Sequence, residues 1–211
     1  MTKPLSYLND LLCIESVVWD IQRNDELSGT GDGRVWQAEL APPLWTATFN
    51  VNVNYHDEIK RLAARIRALR GSQEPLLLND PISKNPQFDK NGALAGTNTI
   101  TISSITNGGY TIGLNGFSPS FQLKAGDKFE LNYGTGRMSF HEVSEDYTSL
   151  STGEFGNVNI FPNIPAGVAV GQVAKFYNPA CQMIIFPDSF NPGSASGLFT
   201  TGLTFRAIQK K

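Results

Sequence analysis

The sequence is poor in charged residues, in histidine and cysteine, and in long hydrophobic runs. Charged residues make up 17% of its 211 positions, against about a quarter in ordinary globular proteins. Neutral polar side chains must therefore cover much of the surface, and the abundant Asn, Thr, Ser and Gly are typical of β-rich chains with many turns. The formal net charge of −2 and the lack of a basic stretch argue against sequence-specific nucleic-acid binding.

The two cysteines, Cys13 and Cys181, are too far apart in sequence to indicate a zinc site or a disulfide framework. We expect both to be small buried residues. No stretch approaches the roughly 20 apolar residues of a membrane-spanning helix, and no secretory leader follows Met1. The sequence therefore predicts folding in a cytoplasm without membrane insertion.

One segment is predicted to be helical. From Asp57 to Arg70 the apolar residues recur at the spacing of an amphipathic helix. Acidic residues lie in its first turn and arginines towards its end, as the helix dipole favours, and Gly71 is placed to be the C-cap glycine. The apolar stripe should pack on the core, while the basic face contacts either solvent or a neighbouring subunit. The stripe consists of Ile59, Leu62, Ala63, Ile66 and Leu69.

Nearly all of the remaining chain is predicted to form strands and turns. Trp45–Val53 alternates apolar and polar residues, as a half-buried strand does, with Trp45 and Phe49 facing the core. Loops are predicted at 28–33 and 187–197. The other strand candidates outside the middle of the chain are Ile14–Ile21, Arg34–Leu40, Pro75–Asn79, Met183–Phe186 and Leu203–Ile208.

The middle of the chain carries a separate group of five strand candidates. Asn107-Gly108, between the first two, is a strong hairpin signal. Five short strands at close spacing indicate a small barrel or sandwich, such as the five-stranded OB type. The candidates are Thr97–Ile105, Tyr110–Phe117, Lys128–Tyr133, Arg137–Ser144 and Gly156–Phe161.

We therefore predict a mainly β fold with one α-helix and a discontinuous core. Residues 1–80 and 178–211 form this core, with the helix at 57–70. Residues 92–172 form an inserted, OB-like β domain, and residues 81–91 and 173–177 are linkers.

No arrangement of residues typical of catalysis is present in the sequence. His56 and His141 lack a second ligand at metal-binding spacing, and no G-x-S-x-G motif supplies a nucleophile. Gly29–Gly33 is glycine-rich but lacks the lysine and the following helix of a phosphate-binding loop. The carboxylates of Glu142, Glu145 and Asp146 fit a solvated turn better than a glycosidase pair. We expect a protein that is not an enzyme and that uses no metal and no cofactor.

Several short motifs, in order along residues 44–209, resemble the pattern of distal tail proteins from long-tailed bacteriophages. Each motif is weak alone, but their order and spacing are moderately specific. They are the strand Leu44–Thr48, the helix end Ile66–Gly71, Asp80-Pro81, the turn Leu123–Phe129, the strand Met138–Val143, Phe161-Pro162 and the ending Thr204–Gln209.

The resemblance implies a virion structural protein that joins the tail tube above to the tail-hub or tip protein below. Such proteins have a tail-tube-like β-barrel or sandwich core with a packed helix, assemble as a hexameric ring, and carry an outer β domain. Genomic DNA would pass through the lumen without specific binding, and the protein would be assembled in the host cytoplasm. The core and interface candidates are Trp45, Phe49, Ile59, Leu62, Ile66, Leu69, Asp127 and Phe205.

Two alternatives remain open at this stage. The chain could be a tail-tube or tail-terminator subunit with the same core. It could instead be a module that binds host-surface carbohydrate, because exposed aromatic residues such as Tyr110 or Phe117 can stack on sugars. An exposed aromatic strip beside Asn and Asp side chains would favour that alternative, and a buried set would not.

Overall fold

A computed structural model describes residues 1–29, 31–70 and 73–210 of the chain. The fold is mainly β with one α-helix, as predicted. The helix is α1 (His56–Ala68), and short 3-10 turns lie at Leu5–Tyr7, Asn9–Leu11, Gln87–Asp89 and Asn107–Gly109. The strands, in chain order, are β1 (Ile14–Gly29), β2 (Val35–Val51), β3 (Asn54–Tyr55), β4 (Leu76–Leu78), β5 (Thr101–Thr106), β6 (Thr111–Asn115), β7 (Gln122–Leu123), β8 (Lys128–Gly134), β9 (Arg137–Val143), β10 (Tyr147–Thr148), β11 (Phe155–Phe161), β12 (Ala174–Lys175), β13 (Cys181–Ile185), β14 (Asn191–Ser196) and β15 (Phe199–Gln209).

Helix α1 forms where the apolar spacing predicted it. Its inward stripe, which includes Ile59, Leu62 and Ile66, is buried in the core. Asp57 and Glu58 lie in the first turn, and Arg65 and Arg67 lie in the last, which complements the helix dipole. The predicted C-cap glycine, Gly71, lies outside the described residues.

The first sheet is formed by both ends of the chain, in the order β1-β2-β15-β13-β4. β15 is its central strand and pairs with β2 on one side and with β13 on the other. At the start of β15, β3 pairs with it on the β2 side and β14 pairs with it on the β13 side. Because α1 packs its apolar stripe on the same core as the inward face of β2, the sheet has one covered face and one open face.

β1 and β2 form one long hairpin that extends beyond the rest of the sheet. The prediction of separate strands at Arg34–Leu40 and Trp45–Val53 was wrong, because β2 continues through Pro42 and Pro43. β15 pairs with β2 only as far as Thr46. Beyond that point β2 pairs with β1 alone, up to Gly29 opposite Val35. We call residues 24–29 and 35–41 the projecting hairpin.

A second hairpin replaces the loop that was predicted at 187–197. Asn191–Ser196 forms β14, which pairs with the start of β15 from Thr204 back to Phe199. The alternation of this segment is hidden in the sequence because its residues are small and polar and are mostly exposed. Since β15 is antiparallel to β2, this second hairpin turns at the end of the sheet opposite the projecting hairpin.

The second sheet contains six strands in the order β12-β8-β9-β11-β6-β5, and β7 and β10 pair separately. All five predicted strands of the middle block are present, and Asn107–Gly109 connects β5 and β6 as a hairpin turn. Hydrogen bonds from Ala174 N to Ile100 O (2.9 Å) and from Ile102 N to Gln172 O (2.9 Å) join the two outer strands of the path. The core of this sheet is rich in phenylalanine, and Phe117 lies within it.

The segments predicted as linkers are packed against the second core. Ala174 and Phe176, within 173–177, are buried in it. Asp89, within 81–91, accepts hydrogen bonds from the backbone of Ala93 and Leu94 and from the hydroxyl of Tyr177. Burial opposes ionisation of Asp89, but these hydrogen bonds lower its pKa overall. The two connections between the sheets are therefore tied down by their side chains.

The two cysteines differ in exposure, and the expectation that both are buried was wrong for Cys13. Cys13 is exposed at the start of β1, whereas Cys181 is buried in β13. Burial raises the pKa of the Cys181 thiol well above its ordinary value. We expect a chromogenic thiol reagent at pH 8 to modify one cysteine per folded chain and two after denaturation. Rapid modification of two in the folded protein would contradict this arrangement, and Cys13→Ser should abolish the native reaction.

Candidate functional site

The predicted core and interface candidates lie in two places. Seven of them, on β2, α1 and β15, are buried in the first core: Trp45, Phe49, Ile59, Leu62, Ile66, Leu69 and Phe205. Asp127 lies instead at the turn before β8, where its carboxylate accepts hydrogen bonds from the backbone of Gln87 and Lys124. Burial raises the pKa of Asp127 despite these hydrogen bonds.

The junction between the two sheets is formed by aromatic side chains. Phe140 belongs to β9 of the second sheet, yet its ring is buried in the first core. It contacts Trp45 edge-on, at 5.5 Å between ring centroids, and Trp19 at 5.9 Å. The indole N–H of Trp45 donates to the Phe140 carbonyl at 2.7 Å. β9 therefore presents side chains to both cores, which holds the sheets at a defined orientation.

A buried ion pair reinforces this junction. Lys128 Nζ lies 2.5 Å from Asp80 Oδ2, and the two side chains are only 7% and 1% exposed. The same ammonium group lies over the rings of Trp45 and Trp19, at 5.0 and 5.9 Å from the centroids. Asp80 also accepts hydrogen bonds from Ile82 N and Ser83 Oγ. Because desolvated charges are costly unless paired, this set of contacts favours one relative position of the sheets.

A cleft of about 300 Å³ opens beside the junction, at the base of the projecting hairpin. Its apolar lining comes from both sheets and is rich in proline. The apolar lining residues include Pro42, Pro43, Pro162, Pro165, Tyr133 and Met138. Proline, methionine and aromatic walls with a few polar groups are typical of sites that bind a flat apolar group.

The polar lining of the cleft includes His141, Ser139, Asn163 and Gln209. His141 Nδ1 lies 2.7 Å from the Pro162 carbonyl and Nε2 lies 2.8 Å from Ser139 Oγ. A carbonyl only accepts, so Nδ1 carries the proton, and Nε2 contacts the serine hydroxyl. The two contacts fix the orientation of the imidazole ring in the cleft wall.

His56 is likewise held by neutral partners, at the N-terminus of α1. Its Nδ1 lies 2.7 Å from Thr200 Oγ1, and its Nε2 lies 2.9 Å from the Gly197 carbonyl. These contacts attach the helix to the second hairpin, which is a structural role.

The three clustered carboxylates have separate partners. Asp146 accepts from Ala125 N and from Lys124 Nζ, and these contacts lower its pKa. Glu145 accepts from the hydroxyl of Tyr147. Glu142 lies on β9, where burial raises its pKa. Among the described residues, no group of three or more His, Cys, Asp or Glu side chains could hold a metal ion.

Two surfaces of the first sheet stand out by their composition. The projecting hairpin exposes large apolar side chains, namely Leu27, Val35, Trp36 and Leu40, each about two-thirds accessible. The open sheet face, opposite α1, carries neutral polar side chains together with apolar and charged ones. That face includes Ser16, Val18, Asp20, Thr48, Asn50 and Arg206.

The cleft, the ion pair and the projecting hairpin were not predicted from the sequence. The cleft and the ion pair join residues that are far apart in the chain, and no local spacing indicates such contacts. The only available signal for the hairpin was the set of apolar residues at 35–40, whose exposure depends on where β15 ends.

Of the two aromatic residues considered for sugar stacking, one is buried. Phe117 packs against Phe121, Phe155 and Phe176, so its ring is not available to a sugar. Tyr110 remains partly exposed, where it borders a second pocket with Phe161 and the inner face of the projecting hairpin.

No known protein family matches the chain, and no curated protein is significantly similar to it in sequence. Among the described residues, no helix has the length and apolar character that a membrane span requires.

Proposed function

We propose that the chain is a structural subunit of a bacteriophage tail tip, a distal tail protein that assembles as a ring. The observation that carries this proposal is the projecting hairpin. A two-stranded ribbon alone is marginally stable in water, and clustered exposed apolar residues mark interaction surfaces. The ribbon with Trp36 and Leu40 is explained if another subunit covers it.

Head-to-tail contacts between identical subunits close into a ring when the rotation between neighbours is a simple fraction of a turn. β1 is the outer strand of the first sheet, and among the described strands only β2 pairs with it. An unpaired edge of 16 residues is prone to unwanted pairing. A neighbouring subunit that covers this edge would remove the hazard and would also fix the ring geometry.

The open face of the first sheet suits the wall of a channel for DNA. Its charged residues include Asp20 and Arg206, of opposite sign, and the neighbouring Ser16, Thr48 and Asn50 are neutral. DNA is held chiefly by cationic side chains that displace its counterions. A nearly neutral wall lets it slide, as ejection of a genome requires.

The identity as a tail-tip protein rests on the sequence motifs from Leu44 to Gln209. In this proposal the first sheet with α1 is the tube-like core, the second sheet is the outer OB-like domain, and the partners are the tail-tube protein and the tail-hub protein. The protein would reside in the virion and act without catalysis. A tail-tube or tail-terminator subunit is the alternative with the same core. Carbohydrate binding is less favoured because Phe117 is buried.

Sedimentation and negative-stain imaging of the purified chain would test ring formation. We expect closed rings of about six subunits. A matched variant joins Asp25 to Glu39 by Asn-Gly, which removes the exposed end of the hairpin at a paired position and leaves the buried core intact. It should melt like the native chain but remain monomeric. A native chain that stays monomeric at every accessible concentration would refute the ring proposal.

A further inference from the structure

Trp36 is the largest exposed apolar side chain of the projecting hairpin, with 66% of its surface accessible. Residues alternate between the two faces of a strand, and β2 is in regular register with β1 from Val35 to Glu39, so Trp36 and Ala38 share one face of β2. Val35, Gln37 and Glu39 lie on the other face, and Gln37 and Glu39 border the pocket with Tyr110. The face with Trp36 therefore points away from the second sheet of its own chain.

The cleft has the size and chemistry to accept an indole ring. Its volume of about 300 Å³ lies at the lower end of the range of pockets that enclose small organic groups. Met138 offers a sulfur for aromatic contact. Gln209 and Asn163 offer side-chain carbonyls that can accept the indole N–H, which needs a partner once it is buried.

The Trp36 side chain cannot reach the cleft of its own chain. Pro42 and Pro43 line that cleft, and six residues of extended strand separate Trp36 from Pro42 by roughly 20 Å. β2 is paired with β1 along this stretch, so it cannot fold back. Trp36 can therefore enter only the cleft of a second copy.

The charges near the two surfaces are complementary. Glu26 lies directly across from Ala38, next to Trp36 on the hairpin. Along the chain, Arg137 is next to Met138 and Lys210 is next to Gln209, two residues that line the cleft. Opposite charges at the rim of an interface favour one orientation of approach, here hairpin to cleft.

We propose that Trp36 of each copy inserts into the cleft of the next copy, so that hairpin and cleft form the repeating contact of the ring. This inference rests on the proposed ring function and names the residues of its interface. Each chain carries one hairpin and one cleft, which is the arrangement that a head-to-tail contact requires.

The first test replaces the inserted tryptophan, Trp36. Trp36→Ala should weaken assembly, followed by sedimentation, by roughly 30-fold or more, because a buried tryptophan is a typical interface anchor. Val35→Ala, on the opposite face, should change the assembly constant by less than about threefold.

The cleft is tested by filling it. Ala166→Trp, which fills the mouth of the cleft, should weaken assembly as Trp36→Ala does. Val170→Trp, at an exposed site that does not border the cleft, should leave assembly unchanged. Unchanged melting temperatures would show that each variant is folded.

The second test detects the contact directly. In a Cys13→Ser background, chains with Ala38→Cys are mixed with chains with Ala166→Cys and treated with a short bismaleimide. We expect a covalent dimer, and none when Gln37→Cys replaces Ala38→Cys. If Trp36→Ala still forms rings and the cross-link between positions 38 and 166 is absent, the inference about the contact is wrong and the ring proposal stands. If the native chain is monomeric but the cysteine variants still cross-link, the ring proposal is wrong and the contact between hairpin and cleft stands. Absence of both would overturn both, and would leave the cleft to another ligand such as a glycan.

Discussion

Replacing Ile66 by aspartate is expected to unfold the first core. Ile66 is buried on α1 and contacts a cluster that includes Trp45 and Phe205. The substitution removes an apolar side chain and places a carboxylate where water does not reach it. The combined cost is about 5 kcal/mol or more, which is comparable to the whole stability of many domains.

Far-ultraviolet circular dichroism and thermal melting would measure this loss. Ala64→Asp is the matched control, because Ala64 lies two positions earlier on the exposed face of the same helix. It introduces the same charge at an exposed position and costs about 0.7 kcal/mol of helix propensity. If Ile66→Asp melted within a few degrees of Ala64→Asp, the inward stripe of the helix would be assigned wrongly.

The features that the sequence predicts well are those with a local period. The helix was predictable because Ile59, Leu62 and Ile66 recur within one element. The strand from Trp45 was predictable because its alternation is unbroken. Local signals failed at β2, where Pro42-Pro43 normally indicates the end of a strand. Here both prolines lie beyond the end of the β15 pairing. They also fall in the register shift between Leu44 and Ala41, where β2 has no paired residue on β1, so their missing N–H groups cost no ladder hydrogen bond.

The candidate site was less predictable because it depends on contacts between distant residues. Lys128 and Asp80 are 48 positions apart, and Trp45 and Phe140 are 95 apart. Phe140 alternates like any strand residue, and nothing in β9 indicates that its ring enters the core of the other sheet. Exposure of Trp36 is likewise a property of the sheet, since it depends on the length of β15.

Replacing Lys128 by methionine is expected to destabilise the junction between the sheets by about 3–5 kcal/mol. Methionine keeps most of the side-chain volume but leaves the Asp80 carboxylate buried without its cation. Asp80 retains hydrogen bonds from Ile82 and Ser83, which only partly offset the lost charge. The variant should show a lower midpoint of denaturant unfolding.

The chain contains its own control for this ion pair. Lys124 and Asp146 approach to 3.0 Å, but their side chains are 36% and 60% exposed. Exposed pairs contribute about 0–1 kcal/mol, so Lys124→Met should change stability little. A similar loss in both lysine variants would mean that solvent reaches Asp80 and that the junction is looser than described.

A double-mutant cycle separates the pair from the packing around it. Asp80→Asn removes the negative charge, so Lys128→Met should cost much less in that background, with a coupling energy of roughly 1–3 kcal/mol. A coupling near zero would assign the role of Lys128 to its contacts with Trp45 and Trp19 alone. If the pair is coupled, it holds the cleft in shape, since Phe140 of the junction also lines the cleft. Lys128→Met should then weaken ring assembly together with stability, whereas Trp36→Ala should weaken assembly alone.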